Sequence, residues 1–254
     1  GLYVSLLQNV KGRILRFGVD PKAGKWSAEP LPLPPNGTVS LSAANPYSRT
    51  VLINYEDHIT PDQLSEYNAR ANVLTLLKSL PARFRADGLQ VSQHIARSAD
   101  GESVPYFVIH RKELQLDGRT PTILYGYGGF EISLKPSYSA TIGKLWLERG
   151  GAYAVANIRG GGEFGPRWHK AALKTNRQRA YDDFIAVAED LAKRGITSPK
   201  HLGISGGSNG GLLVGAIFTQ RPDLLNAVVC RVPLLDMLRY TKLLAGASWA
   251  AEYG

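Results

Sequence analysis

The sequence predicts an α/β protein in which a mostly parallel sheet follows a segment of short β-strands. Two apolar runs, at residues 121–125 and 152–157, end in glycine-rich loops, as buried parallel strands do. After about residue 92, such strands alternate with segments of helical periodicity. At 254 residues, 44% of them hydrophobic, the chain is long enough for one large domain or parts of two.

The first 80 residues have a different pattern of predicted secondary structure from the rest of the chain. Short β segments at residues 3–10, 13–19, 38–43 and 50–57 are separated by turn-forming residues. The prolines between residues 30 and 37 indicate an extended loop within this sheet. Four short strands cannot bury both of their faces alone. Either further strands precede residue 1, or this part of the chain is only marginally stable. We expect part of a β domain over residues 1–80 and part of an α/β domain over residues 81–254.

Helices and strands alternate through the second part. Apolar residues recur at helical spacing over 181–194, and Gly195 then ends that helix. A strand is expected at 201–204, a helix at 209–220 and another strand at 227–232.

Composition narrows the possible partners. The net charge of +9 permits an anionic partner, yet the basic residues are scattered. The densest stretch carries Lys170, Lys174 and Arg177 at helical spacing, which favours a solvated helix face over nucleic-acid binding. The apolar runs are too short for a membrane span. We expect no nucleic acid, no membrane, no cofactor and no metal, and the compartment stays open, with the cytoplasm favoured.

The glycines around Ser208 indicate a nucleophile. A predicted strand, the sequence Gly206-Gly207-Ser208-Asn209-Gly210 and a predicted helix together match G-x-S-x-G in its structural context. Small residues on either side allow a sharp turn that exposes the hydroxyl, and the helix N-terminus favours a developing oxyanion. A structural glycine turn and a phosphate-binding loop are the alternatives, and the second lacks the P-loop lysine.

A second oxyanion donor is expected from the loop at residues 125–130, "YGYGGF", which follows the strand at 121–125. Its glycines allow close backbone approach to a ligand, and Tyr127 carries a phenolic donor. The alternative is that Tyr125 and Tyr127 pack against the sheet.

Four segments together resemble the prolyl oligopeptidase family of serine peptidases. They are "YGYGGF" at 125–130, "AVANIRGGGEFG" at 154–165, "GGSNGGLL" at 206–213 and "WAAEYG" at 249–254. The resemblance implies an α/β-hydrolase fold preceded by the last strands of a β-propeller. It also implies a monomeric enzyme that cleaves short peptides after proline through an acyl-enzyme.

The resemblance assigns roles to individual residues. It implies Ser208 as nucleophile, with the Asn209 amide and the Tyr127 hydroxyl as oxyanion donors. Trp249 would stack on the proline ring of the substrate, and Phe130 and Tyr253 would line the same pocket. An aromatic slot suits a rigid ring because stacking there requires little side-chain ordering.

The histidine and the carboxylate that activate such a serine are not found after Ser208. In α/β-hydrolases the chain order is Ser, then Asp or Glu, then His, but all five histidines precede Ser208. The resemblance places both triad partners beyond residue 254, so we expect these 254 residues alone to be inactive. His169 is a remote alternative base. Asp223 is expected to cap or solvate a helix end, and Asp236 is expected to make a local structural contact.

Two other functions remain open at this stage. One is a different peptidase or esterase of the same fold, although the chain lacks the HGGG-type loop of many esterases. The other is a non-catalytic interaction domain built from a propeller and a hydrolase relic. Proline-based substrates and labelling of Ser208 distinguish these functions.

Overall fold

The computed structural model describes residues 2–20, 22–44, 47 and 50–254. Contacts divide the chain into two compact units. The first comprises the described residues up to Ala86 together with Lys135–Ala140, and the second comprises Asp87–Leu134 and Thr141–Gly254. The predicted domain boundary between residues 80 and 81 concerns a longer protein and stays a prediction.

The first unit is built from two antiparallel sheets. Its first sheet has three strands in sequential order: β1 (Leu2–Gln8), β2 (Lys11–Val19) and β3 (Trp26–Pro30). Its second sheet has four, also in sequential order: β4 (Thr38–Ala44), β5 (Thr50–Glu56), β6 (Gln63–Asn68) and β7 (Val73–Ser79).

This arrangement corrects two expectations. The proline-rich stretch at 31–37 connects two sheets and does not lie within one. The strands β3, β6 and β7 were missed because they lack the alternation of apolar and polar residues that marks a half-buried strand: β3 is exposed throughout and β6 is mostly polar.

Burial in the first unit follows the two-residue period of a strand. In β5 the side chains of Val51, Ile53 and Tyr55 are buried, and the residues between them are half-buried. They form a core with residues of the neighbouring strands, among them Ile14 and Tyr67.

The second unit contains a six-stranded sheet in the order β13-β12-β10-β11-β9-β8. The strands are β8 (Leu89–Arg97), β9 (Ser103–Arg111), β10 (Thr122–Tyr125), β11 (Ala152–Ala156), β12 (Leu202–Gly207) and β13 (Ala227–Arg231). Strands β10 to β13 are parallel to one another, whereas β8 and β9 form an antiparallel pair joined to β11. The α/β class with a mostly parallel sheet is therefore confirmed.

Five α-helices accompany these strands: α1 (Ala140–Leu145), α2 (Pro166–Lys170), α3 (Gln178–Lys193), α4 (Asn209–Gln220) and α5 (Ala250–Tyr253). In α3, Phe184, Val187 and Leu191 recur at helical spacing and are fully buried in the core of this unit. The following Gly195 has a φ of +72°, which suits the end of a helix. In the described part of the chain, no helix has the length and apolar character needed to cross a membrane.

Parallel pairing determines where the loops of interest meet. The carboxyl ends of β10, β11 and β12 lie at one edge of the sheet because these strands run in the same direction. The loops after Tyr125, Ala156 and Gly207 therefore start at that edge, where open α/β sheets place their sites.

Candidate active site

Ser208 occupies a strained turn between β12 and α4. Its φ of +57° and ψ of −119° lie in a region that non-glycine residues rarely adopt. The side chain is exposed, whereas Asn209 and Gly210 immediately after it are buried. The Ser208 amide donates to the carbonyl of Arg231, 3.0 Å away, which extends the pairing of β12 with β13 past the end of the strand. This geometry presents a hydroxyl to solvent at the carboxyl edge of the sheet.

The sharp turn depends on the glycine two residues before Ser208. A Cβ added to Gly206 would lie 2.1 Å from the carbonyl oxygen of Gly210, which is far inside contact distance. Gly206 is therefore required by the close approach of strand and helix, and Gly210 by the loop after β10, since a Cβ there would lie 2.7 Å from the carbonyl oxygen of Gly126. The role of Ser208 as nucleophile stays a prediction.

Tyr127 lies beside Ser208. Burial raises the pKa of the Tyr127 phenol above its ordinary value, although a hydrogen bond with the Ser208 side chain opposes that effect. The phenol is therefore protonated at neutral pH and available as a donor. The amide of Asn209 is the first of α4 and has no acceptor within the helix, as at any helix N-terminus. These two donors adjoin the exposed hydroxyl.

The side chain of Asn209 is fully buried and forms hydrogen bonds with Tyr127, Arg177 and Tyr253. Its Nδ2 donates to the backbone carbonyl of Tyr127 over 2.5 Å. Its Oδ1 accepts from Arg177 Nη2, 2.5 Å away, and from the Tyr253 hydroxyl, 2.8 Å away. A Cβ on Gly129 would lie 2.5 Å from Asn209 Nδ2, so the glycine leaves room for this amide.

The buried carboxylate of Glu252 also bonds several segments of the chain. Its Oε1 accepts from the Phe130 amide over 2.9 Å and from Arg177 Nη1 over 3.0 Å. Its Oε2 pairs with His169 Nε2 at 2.7 Å. This one carboxylate therefore joins the loop after β10, helix α2, the segment before α3 and helix α5.

The burial of Arg177 corrects an expectation. Its side chain is only 11% exposed and pairs with Glu252, whereas its spacing from Lys170 and Lys174 predicted a solvated helix face. The backbone between these residues is not one helix: α2 ends at Lys170, and Lys174 has a φ of +50°. The helical spacing in the sequence therefore does not correspond to a common face.

The aromatic side chains form a partial cluster. Phe130 and Tyr253 meet edge to face with ring centroids 5.8 Å apart, and Tyr240 meets Tyr253 in the same way at 5.6 Å. Trp249 ends a short 3₁₀ turn directly before α5 and is half-buried. Among the described residues, the ring pairs at Phe130 and Tyr253 do not include Trp249. The structure thus brings together two of the three predicted pocket residues.

Three of the four histidines of the second unit lie far from Ser208, and the fourth is bonded to Glu252. His201 and Ser208 lie at opposite ends of β12, about 20 Å apart for a strand of this length. His110 is the penultimate residue of β9, which runs antiparallel to β11, so it lies at the amino edge of the parallel strands. His94 is four strands away from β12, roughly 19 Å. His169 is engaged by Glu252.

The remaining candidates lie away from this centre. Asp223 and Asp236 are bonded to Arg221 and Arg239, at 2.8 Å each, in exposed local pairs, as expected. Among the described residues, no cluster of three or more His, Cys, Asp or Glu side chains is arranged to hold a metal ion. His58 lies in the first unit, where burial lowers its pKa to about 4.

A serine in a glycine-flanked turn, between strand and helix at the carboxyl edge of a mostly parallel sheet, defines an α/β-hydrolase domain. The chain belongs to the prolyl oligopeptidase family, whose model matches residues 136–254. An uncharacterized peptidase of Sinorhizobium fredii is 56% identical over the whole chain, which covers 35% of that relative.

Solved structures agree with this assignment. A post-proline cleaving enzyme from Rickettsia typhi is 40% identical, with a TM-score of 0.86 over 99% of this chain and 36% of that enzyme. Prolyl oligopeptidase B from Galerina marginata, bound to a 25mer macrocyclization substrate, is 31% identical, with a TM-score of 0.89 over 99% of this chain and 35% of that one. The chain spans about a third of the length of the curated relatives it matches. The predicted fold, an α/β-hydrolase domain preceded by propeller strands, is confirmed.

Proposed function

We propose that this chain carries the nucleophile and substrate pocket of a serine peptidase that cleaves short peptides on the carboxyl side of proline. The observation that carries the proposal is the exposed, strained Ser208 beside Tyr127 and Asn209. Relatives described as post-proline cleaving and as prolyl oligopeptidases support the substrate class.

The chemistry follows from this arrangement. Ser208 Oγ attacks the carbonyl carbon of the proline residue while a general base takes its proton. The negative charge that develops on the carbonyl oxygen is stabilised by the Asn209 amide and the Tyr127 hydroxyl. The base then protonates the leaving amine, and water hydrolyses the acyl-enzyme by the reverse proton path.

The general base is proposed to lie outside residues 1–254. Of the four histidines in the second unit, three are remote from Ser208 along or across the sheet, and His169 is held by Glu252. Removing one triad member leaves about 10³–10⁴-fold catalysis over water. We therefore expect residues 1–254 alone to hydrolyse peptides at no measurable rate.

The substrate proline is proposed to bind against the aromatic residues near α5. Phe130 and Tyr253 form one edge-to-face pair, and Trp249 supplies a flat indole at the start of the same segment. Stacking on a rigid ring costs little conformational entropy. No cofactor takes part in this proposal.

A substrate panel on the full-length protein tests the proposal. Peptides ending in proline-, alanine- or arginine-aminomethylcoumarin and a simple acyl ester are compared, with Ser208→Ala as the control. We expect turnover after proline, abolished in the control. Turnover of the alanine, arginine or ester substrates without the proline one would assign a different specificity. No turnover and no labelling of Ser208 would indicate an interaction domain.

A further inference from the structure

Arg177 contacts both parts of the proposed site, the residues around the oxyanion donors and the residues around the proline pocket. Its Nη2 donates to Asn209 Oδ1 and its Nη1 to Glu252 Oε1, at 2.5 and 3.0 Å. The guanidinium carbon also lies 5.4 Å from the centre of the Tyr253 ring, within the range of a cation–π contact. The sequence marks this residue only as part of a basic stretch and gives no sign of a role at the site; it precedes α3 and lies 31 positions before Ser208.

The hydrogen bond from Arg177 to Asn209 links Arg177 to both expected oxyanion donors. The Asn209 side chain holds the backbone carbonyl of Tyr127, and its own amide begins α4. Arg177 and Tyr253 occupy Oδ1, which fixes the plane of the side-chain amide and points Nδ2 toward Tyr127. The position of Tyr127 relative to the Asn209 amide therefore depends on Arg177.

The contact with Glu252 reaches the proposed proline pocket. Glu252 lies in α5 beside Tyr253, and its carboxylate accepts from the Phe130 amide. Both side chains of the ion pair are nearly buried, with 11% and 5% exposed. A buried carboxylate that loses its guanidinium partner is strongly destabilised in its charged form. Without Arg177, the hydrogen-bond partners of Glu252 among the described residues would be His169 and the Phe130 amide.

We propose that Arg177 is a positioning residue that couples the proline pocket to the oxyanion donors, so that a correctly seated proline is required for full catalytic rate. The coupling path runs from Phe130 through Glu252 and Arg177 to Asn209, and Tyr253 joins it through its ring beside Arg177 and its hydroxyl on Asn209 Oδ1. This proposal rests on the proposed function, because it concerns the same site.

Substitution of Arg177 in the full-length protein tests the coupling. Arg177→Met keeps the aliphatic volume but removes both donors, and Arg177→Lys keeps the charge but cannot hold both partners with a planar fork. Arg179→Met is the matched control, because Arg179 is exposed, donates to the carbonyl of Ala171 and pairs with the half-exposed Asp100 only at 4.0 Å, away from Asn209 and Glu252. For each variant, kcat and KM are measured with a proline and an alanine substrate, together with the melting temperature.

We expect Arg177→Met to lower kcat for the proline substrate on the order of 10²-fold, as a displacement of about 1 Å in a catalytic group does. The alanine substrate should lose much less, so the preference for proline falls. The kcat of Arg177→Lys for the proline substrate should lie between those of Arg177→Met and the wild type. Arg179→Met should match the wild type in kcat and in its preference for proline. If Arg177→Met does not fold, Arg177→Lys decides by the same comparison.

Three outcomes would overturn the inference. Equal losses for proline and alanine substrates would reduce Arg177 to a general structural role. Unchanged kinetics in both Arg177 variants would refute the coupling while leaving the proposed function intact. A wild-type protein that is neither active nor labelled at Ser208 would refute both.

Discussion

Asp183→Asn is expected to destabilise the second unit strongly. Asp183 is fully buried in α3 and accepts four hydrogen bonds from Arg159, one from its amide and three from its guanidinium, between 2.6 and 3.2 Å. Arg159 lies in the glycine loop after β11 and also pairs with Asp100 at 2.6 Å. The substitution keeps the shape of the side chain and removes its charge.

The magnitude follows from the burial of the pair. Both partners are at most 4% exposed, so solvent cannot compensate for the lost charge. Breaking such a pair by removing one partner costs about 3–5 kcal/mol. Asp100 is 44% exposed and keeps its own bond to Arg159 in the variant. The decrease in the free energy of unfolding should therefore lie near the lower end of that range.

Urea unfolding monitored by tryptophan fluorescence measures this loss. Trp168 donates to the carbonyl of Ile158, 3.0 Å away, and therefore reports on the loop that contains Arg159. The control is Asp182→Asn at the neighbouring half-buried position, where the carboxylate accepts a hydrogen bond from the exposed Gln178 and pairs with no buried charge among the described residues, so the loss in free energy of unfolding should stay well below that of Asp183→Asn. Equal free energies of unfolding for the two variants would refute the assignment of a stabilising buried pair.

Three further predictions concern the proposed site and the first unit. Tyr127→Phe should lower kcat of the full-length protein by about 10²–10³-fold, because it removes one oxyanion donor; an unchanged kcat would leave Tyr127 with a packing role only. Trp249→Ala should raise KM for proline substrates and reduce the preference for proline over alanine, and intact selectivity would place the pocket elsewhere. Burial lowers the pKa of His58 from 6.5 to about 4, so below pH 6.5 the unfolded state binds a proton that the folded state does not. The free energy of unfolding should therefore decrease by about 3 kcal/mol as the pH falls from 6.5 to 4, and a His58→Gln variant with the same pH dependence would contradict this cause.

The sequence was informative where local chemistry determines the structure. The turn at Ser208 follows from glycines at fixed positions between a strand and a helix, and α4 has the predicted bounds of residues 209–220. The long helix α3 was also predictable, because its buried residues recur at helical spacing and Gly195 ends it.

The sequence was uninformative where distant segments meet. Arg177 and Glu252 are separated by 75 positions, and nothing in either neighbourhood indicates their pairing. The predicted helical face around Arg177 was wrong because the chain leaves the helix after Lys170 and turns at Lys174. Strands such as β3 were missed because an exposed strand carries no apolar alternation.

Labelling by a fluorophosphonate tests the central claim most directly, because this reagent reacts with an activated serine and leaves an unactivated one unmodified. Mass spectrometry of the full-length protein should place the phosphonate on Ser208, and a peptide substrate containing proline should protect it. A full-length protein that remains unlabelled, or that is labelled equally after Ser208→Ala, would contradict the account.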